Sequence, residues 1–404
     1  MSSTPAASFR LTPEATQLVL NRPTTIAIAA ALAASLFVGL TMAGAQPATD
    51  GGPQGIKHVN CDTGQSLAHA VRVATEGQTI RVRGTCHERV QVTTPRLTLV
   101  GAENAVMDGT GVELGPDREF DGLVVIDGVT GVTVSGLAIQ KSAGNGVLAH
   151  HGAAVALRDV RLQDNAFTGV VVVDHSSAEL ADCVSTRNRL GLDVVTSSSA
   201  VFKGTVSITE NGNGVDINGN SIVELRGAQV ELNENGGYGL IAASGSHIAI
   251  FGWQSAAGSA VTANGNGFAG LIFGQGTLTT YVPSVITASN NTTFGILLNA
   301  ANLFAPFEEA RFRLENNGIG MSVGQGTTIL IAAGLTIQAN GAGLVADGAG
   351  TLTLRSTQAN PSTITGNGSD MRLLFGTRST IEGVTIGTLV CDGTVLSRGT
   401  KICP

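Results

Sequence analysis

The densest group of ionisable side chains in the sequence is His151, Asp174, His175, Asp193 and Asp216, with Arg187 and Arg189 close by. Imidazoles and carboxylates in one patch can relay protons, and two carboxylates can divide acid and base work on a glycosidic bond. Asp193 and Asp216 each stand two residues after a glycine, Gly191 and Gly214. If the chain repeats with that spacing, one carboxylate lies directly above the other. Two carboxylates so close raise one pKa or invite a cation, and calcium is the ion such oxygens would take. No other cofactor is indicated, and no Cys/His spacing suits zinc. Trp253 could stack a sugar ring, in a stretch shared with Tyr238 and Phe251. Each of these groups also has a plainer reading. Polar residues on a repeat protein are by default a solvated face, and Trp253 is a packing residue under an inserted loop. Glu308, Glu309, Arg311 and Arg313 read as cross-strand ion pairs on an exposed strand.

The elements that must position these residues come from a repeat. Gly122, Gly146, Gly169, Gly191, Gly214, Gly239, Gly270, Gly295, Gly320 and Gly343 recur every 22–25 residues, with one interval of 31 that reads as an insertion. The residue after each glycine is apolar, as is the residue two further on, while the one between is unconstrained. That alternation is a short strand with one face inward. Asn145, Asn165, Asn188, Asn211, Asn235, Asn266, Asn291, Asn316 and Asn340 recur a few residues before the glycines and predict an amide ladder at one turn. A unit this short cannot bury its own apolar face, but stacked copies share a core. Helical repeats find no room between the glycines. The expected fold is therefore all-β, a right-handed parallel β-helix solenoid whose ten registered coils span about 48 Å, with one or two further coils at each end. Residues 66–75, closed by Gly77, predict an amphipathic helix that caps the first coil.

Composition agrees with that architecture and excludes others. The 404 residues include 54 Gly, 43% hydrophobic and only 13% charged residues. That balance is not that of a disordered chain. A net charge of −7 with no basic cluster argues against nucleic-acid binding. Residues 25–45 form an apolar run preceded by Arg10 and Arg22 and ending Ala43-Gly44-Ala45, the order of a secretory signal. Residues 1–45 are thus expected to be a signal peptide or, if uncleaved, a signal anchor, the one route to membrane association. A linker 46–57, a stapled cap 58–97, coils 98–390 and a tail 391–404 follow. Cys61 and Cys86 cluster near the start, Cys391 and Cys403 near the end, predicting one disulfide at each terminus of a secreted or envelope monomer. Cys183 is left as a buried thiol.

The run Cys61-Asp62-x-Gly64-x-Ser66-Leu67-x-x-Ala70, then Gly77-x-Thr79-Ile80-x-Val82-x-Gly84-Thr85-Cys86-x-Glu88, resembles the opening of secreted bacterial right-handed β-helix proteins of the pectin-lyase-like superfold. The resemblance implies right-handed coils and a location outside the cytoplasm. It implies no activity, because that superfold hosts lyases, hydrolases, epimerases and adhesins. The N-T-D, D-D, G-H-G and R-I-K signatures of polygalacturonase-like chains and the D-P-H of alginate epimerase-like chains are missing. Val173-Asp174-His175 resembles the I-D-H of pectate lyases, without the tryptophan or paired arginines that accompany it there. The expectation is an exported protein that binds polysaccharide or another envelope partner. The alternative is a lyase or hydrolase acting on an acidic glycan in a lateral groove.

Overall fold

The computed structural model describes residues 55–251, 258–281, 283–348, 350–399 and 403. All lie in the second of the chain's two units, Pro53–Pro404. The signal segment at 1–45 and Trp253 fall outside the described residues. Every strand pairing is parallel, and each coil supplies strands to three sheets in turn. Sheet 1 runs from Lys57–Asn60 to Leu396–Gly399, sheet 2 from Thr85–Cys86 to Thr385–Ile386, and sheet 3 from Val90–Val92 to Leu389–Cys391. Sheet 3 has 13 strands among the described residues. Ser177–Thr186 and Ser199–Thr209 pass unbroken from sheet 1 into sheet 2. The corner is made by left-handed residues, Asp182 (φ 55°) and Gly204 (φ 57°). Among the described residues no helix is long and apolar enough to cross a membrane.

Inward residues of the three sheets form one continuous core, in which Phe202, Phe273 and Phe312 are the largest side chains. The glycine column marks the start of the sheet 3 strands, but not for a turn. Each of these glycines faces the carbonyl of its counterpart one coil on. A Cβ at Gly191 would lie 2.8 Å from the Gly214 oxygen, 3.0 Å from the Asn211 amide nitrogen and closer still to the Ile208 methyl. Close stacking, not a positive φ, demands glycine there. Gly122 is not a member of the column. Asn145 pairs with Gly122 and Val147 with Val124, so the first coil is one residue out of the expected register. Val124 and Ile126 point inward, and Val125 joins Leu148 and Val171 on the outside.

The amide ladder runs through Asn165, Asn188, Asn211, Asn235, Asn266, Asn291, Asn317, Asn340 and Asn367. Each Oδ1 accepts from the backbone and side-chain N–H of the asparagine before it. Asn317 replaces the expected Asn316, which is exposed in a left-handed turn. Asn145 lies outside the ladder, bonded to the carbonyls of Glu119 and Asp121, and Ser142 begins the column instead. Asp370 terminates it.

The cap helix is Leu67–Arg72, shorter than its amphipathic pattern suggests. Ser66 caps its N-terminus, and Glu88 accepts from both the Ser66 hydroxyl and the Leu67 N–H. Val73, not Gly77, occupies the C-cap. The helix follows a first strand, Lys57–Asn60, that pairs with Thr79–Arg83. Cys61–Cys86 and Cys391–Cys403 are disulfides, and Cys183 is a free, buried thiol.

Candidate functional site

The outer face of sheet 3 positions the two candidate aspartates. Alternation places one central outward residue per strand, in register through Val125, Leu148, Val171, Asp193, Asp216, Ile241, Ile272 and Leu297. Within this stretch only the two aspartates are polar, while Gln91 precedes it and Ser322 and Arg372 continue the same column beyond it. Their strands, Leu190–Val194 and Asn213–Ile217, bury Leu192 and Val215 inward and so fix the carboxylates outward, one strand spacing apart. Burial, followed by the charge of Asp216, pushes the Asp193 carboxyl up to about 7. Burial also raises Asp216, opposed by a hydrogen bond that the Tyr238 hydroxyl donates to its Oδ2 at 3.3 Å. Asp216 Oδ1 is buried and has no hydrogen-bond partner. Neither carboxylate behaves as an ordinary surface charge.

His151, Asp174 and His175 are not part of this pair. All three have left-handed backbones, φ 56–59°, in the turns that leave sheet 3. The expected patch therefore separates into two groups. His151 Nδ1 lies 2.9 Å from Asp127 Oδ1, and His150 Nε2 lies 3.4 Å from the same oxygen. Gln91 donates to Asp127 Oδ2 at 2.9 Å. The His151 hydrogen bond is the main cause that lowers the Asp127 pKa, and burial lowers that of His150. Asp174, at its own turn, acts on His150 through its charge, and His175 is exposed.

A segment preceding Asp121 overhangs the N-terminal part of the face. Asp121 anchors it, accepting from Arg89 Nε at 2.8 Å and from the N–H groups of Gly115 and Gly122. Glu119 reaches Arg189, whose guanidinium sits 4.9 Å from the centre of the Phe167 ring. Beneath it, Arg89, Gln91, Pro116, Phe120, Leu148 and His150 line a cleft of about 270 Å³. Val125 and Leu148 of the outward column form part of its lining.

Calcium fits the aspartate pair poorly. The protein offers two carboxylates and one hydroxyl already donating to Asp216, where calcium needs six to eight oxygens. The aromatic grouping also differs from expectation. Tyr238 serves Asp216, while Phe251 stacks on Tyr281 with ring centres 4.7 Å apart. Arg311 and Arg313 are exposed and form no ion pair among the described residues, and Glu308 instead engages Asn360 and Thr357.

Residues 118–252 match the family model described as "Right handed beta helix region". The chain is a right-handed parallel β-helix. Solved structures similar to this β-helix include a pectate lyase, Pel9A, at 15% identity over 84% of this chain and 78% of that one, with a TM-score of 0.38. An alginate lyase from Paenibacillus sp. str. FPU-7 is 11% identical over 84% and 99%, with a TM-score of 0.34. The tailspike protein of E. coli bacteriophage HK620, solved in complex with a pentasaccharide, is 10% identical over 82% and 76%, with a TM-score of 0.41. The search of curated proteins gives no match.

Two participants in the β-helix site escape a reading of the sequence. Asp127 lies directly below His150 in register, but the glycine spacing sets it one position away. Tyr238 precedes its glycine and stands two residues before inward Leu240, so strict alternation would point it inward. Its partnership with Asp216 depends on stacking between coils.

Proposed function

We propose that this β-helix is an exported protein that binds a neutral, hydroxyl-rich polysaccharide along the outer face of sheet 3, centred on Asp193, Asp216 and Tyr238. The observation that carries the reading is the unpartnered Oδ1 of Asp216, whose pair with Asp193 lies between apolar neighbours, Val171 and Ile241, in the outward column. A buried acceptor without a donor costs about 1–3 kcal/mol, which a ligand hydroxyl would recover. Sugars offer hydroxyl donors on their edges and C–H surface on their faces. Carboxylates beside Val171 and Ile241 complement both. Burial and Asp216, with no cation among them, set the state of Asp193, so an acidic sugar would add a third like charge. This favours a neutral glycan over the acidic one. The export segment and the two disulfides support a location in an oxidising compartment.

Titration calorimetry of the purified chain against a panel of neutral and acidic polysaccharides tests the reading. Binding of a neutral glycan, weakened at least tenfold by Asp216→Ala, is the expected result. Equal affinity of that variant, or no binding across the panel, would overturn it.

One observation favours a second reading, glycoside hydrolysis. The carboxylates are one strand spacing apart, about 4.8 Å, close to the roughly 5–5.5 Å of retaining enzymes. Asp193, pushed up to about 7, would serve as proton donor and Asp216 as nucleophile. Release of reducing ends from a bound glycan, abolished by Asp193→Asn with binding retained, would select this reading over binding alone.

A further inference from the structure

We propose that Asp127, His150 and His151 form a transition-metal site, suited to zinc(II), at the edge of the sheet 3 face. The inference is independent of glycan binding. The site is built by stacking: Asp127 ends one strand of sheet 3, His150 lies in register with it on the next coil, and His151 opens the following turn. The left-handed backbone of His151, φ 59°, turns its side chain back toward the same carboxylate, and the two imidazole rings lie 4.1 Å apart.

Both imidazole nitrogens converge on Asp127 Oδ1, at 2.9 Å for His151 Nδ1 and 3.4 Å for His150 Nε2. The three candidate ligand atoms lie within 4.8 Å of one another. Zinc bonds of about 2.0–2.1 Å in a tetrahedron set ligand atoms about 3.3 Å apart, so only small side-chain shifts would bring the three around one ion. His150 Nε2 is buried without a hydrogen-bond partner despite its neighbour at 3.4 Å. Asp127 Oδ1 is engaged by His151 and not by His150, and a cation between the three groups would engage the unused His150 nitrogen as well. Gln91 holds the other carboxylate oxygen, as outer partners of metal ligands commonly do. Two nitrogens and one oxygen suit zinc and its first-row neighbours, not calcium, which takes oxygen ligands. His150 also lines the cleft under the overhang, so a fourth position there is open to water or a ligand group. The grouping of Cys61, Cys86 and Glu88 offers no such site, because its sulfurs form a disulfide.

The test is calorimetry and thermal melting of the chelator-stripped full chain with zinc chloride, with cobalt(II) as a spectroscopic stand-in. The expected result is one zinc per chain, a rise in Tm, and the strong visible absorption of tetrahedral cobalt. His151→Gly, which suits the left-handed backbone, and Asp127→Asn should each weaken zinc binding at least tenfold. The Asp193→Asn/Asp216→Asn double variant should bind as the parent does, and calcium should not replace zinc. Absence of zinc binding in the parent, or undiminished binding in His151→Gly, would overturn the proposal. Loss of binding in the double variant would relocate the metal to the aspartate pair and overturn it equally.

Discussion

Asp193 and Asp216 face each other across one strand spacing with no cation to offset them, and the cost depends on pH. The Asp193 carboxyl titrates at about 7 in the folded chain and near 3.8 when unfolded. Below about pH 4 both states are protonated and the penalty vanishes. As pH rises toward 7 the unfolded state loses its proton first, so stability falls and then levels off. Asp193→Asn removes the group that titrates. It should match the parent at about pH 3 and exceed it by at least about 1 kcal/mol at pH 8. Urea denaturation at the two pH values measures this, and equal parent stability at both would mean that the carboxylate is solvated. The neighbouring Leu192 is fully buried. The sequence already distinguishes inward Leu192 from outward Asp193. It could not show that the outward position is itself enclosed.

At the scale of the element, the asparagine column holds one turn of coil after coil in place. Asn211 Oδ1 accepts from the backbone and side-chain N–H of Asn188, and its own amide donates to the Ser185 carbonyl and the Asn235 oxygen. Asn211→Ala would leave the buried Asn188 backbone N–H without an acceptor, while the Asn188 amide keeps the Leu162 carbonyl and Ser185 Oγ, at a cost of about 1–3 kcal/mol. Asn316→Ala, in the exposed left-handed turn beside the ladder, should cost less than about 1 kcal/mol. Denaturant melts of the two variants test the assignment, and similar losses would contradict it. A shorter serine column, Ser176, Ser198, Ser221 and Ser246, stacks at another turn. The hydroxyl of each accepts from the backbone N–H one coil earlier. Periodicity revealed that an amide ladder exists. Whether Asn316 or Asn317 belongs to it is a matter of backbone conformation, which adjacent identical residues do not disclose.

Across the whole molecule, a solenoid must close a core that each coil leaves open above and below. At the start, Leu67, Ala70 and Val71 of the cap helix bury against the first coil, and Cys61–Cys86 ties the helix to it across 25 residues. At the other end Phe375, Val390 and Leu396 remain exposed, and Cys391–Cys403 closes only 12 residues. Cys61→Ser/Cys86→Ser should lower stability by about 3 kcal/mol in the loop-entropy account. The Cys391→Ser/Cys403→Ser variant should lose less, because its loop is shorter. Guanidinium melts would show the order, and a reversed order would place the weaker closure at the N-terminal cap.

What the sequence determined by itself was the architecture, because a glycine every 22–25 residues with apolar neighbours on alternate positions permits few other ways to bury the chain. The direction of Asp193 and Asp216 and their stacking followed from the same period. Tertiary structure alone decided the site. The first coil is displaced by one residue, which seats Asp127 beneath His150. Turns after sheet 3 hold His151, Asp174 and His175 away from Asp193 and Asp216, which follow them in the chain and lie within the strands. The overhang from residues before Asp121 crosses several coils to reach Arg189. Burial does not repeat with the period even when residue type does, because it depends on what covers each coil. That is why two aspartates that read as surface charges are half-buried among apolar neighbours.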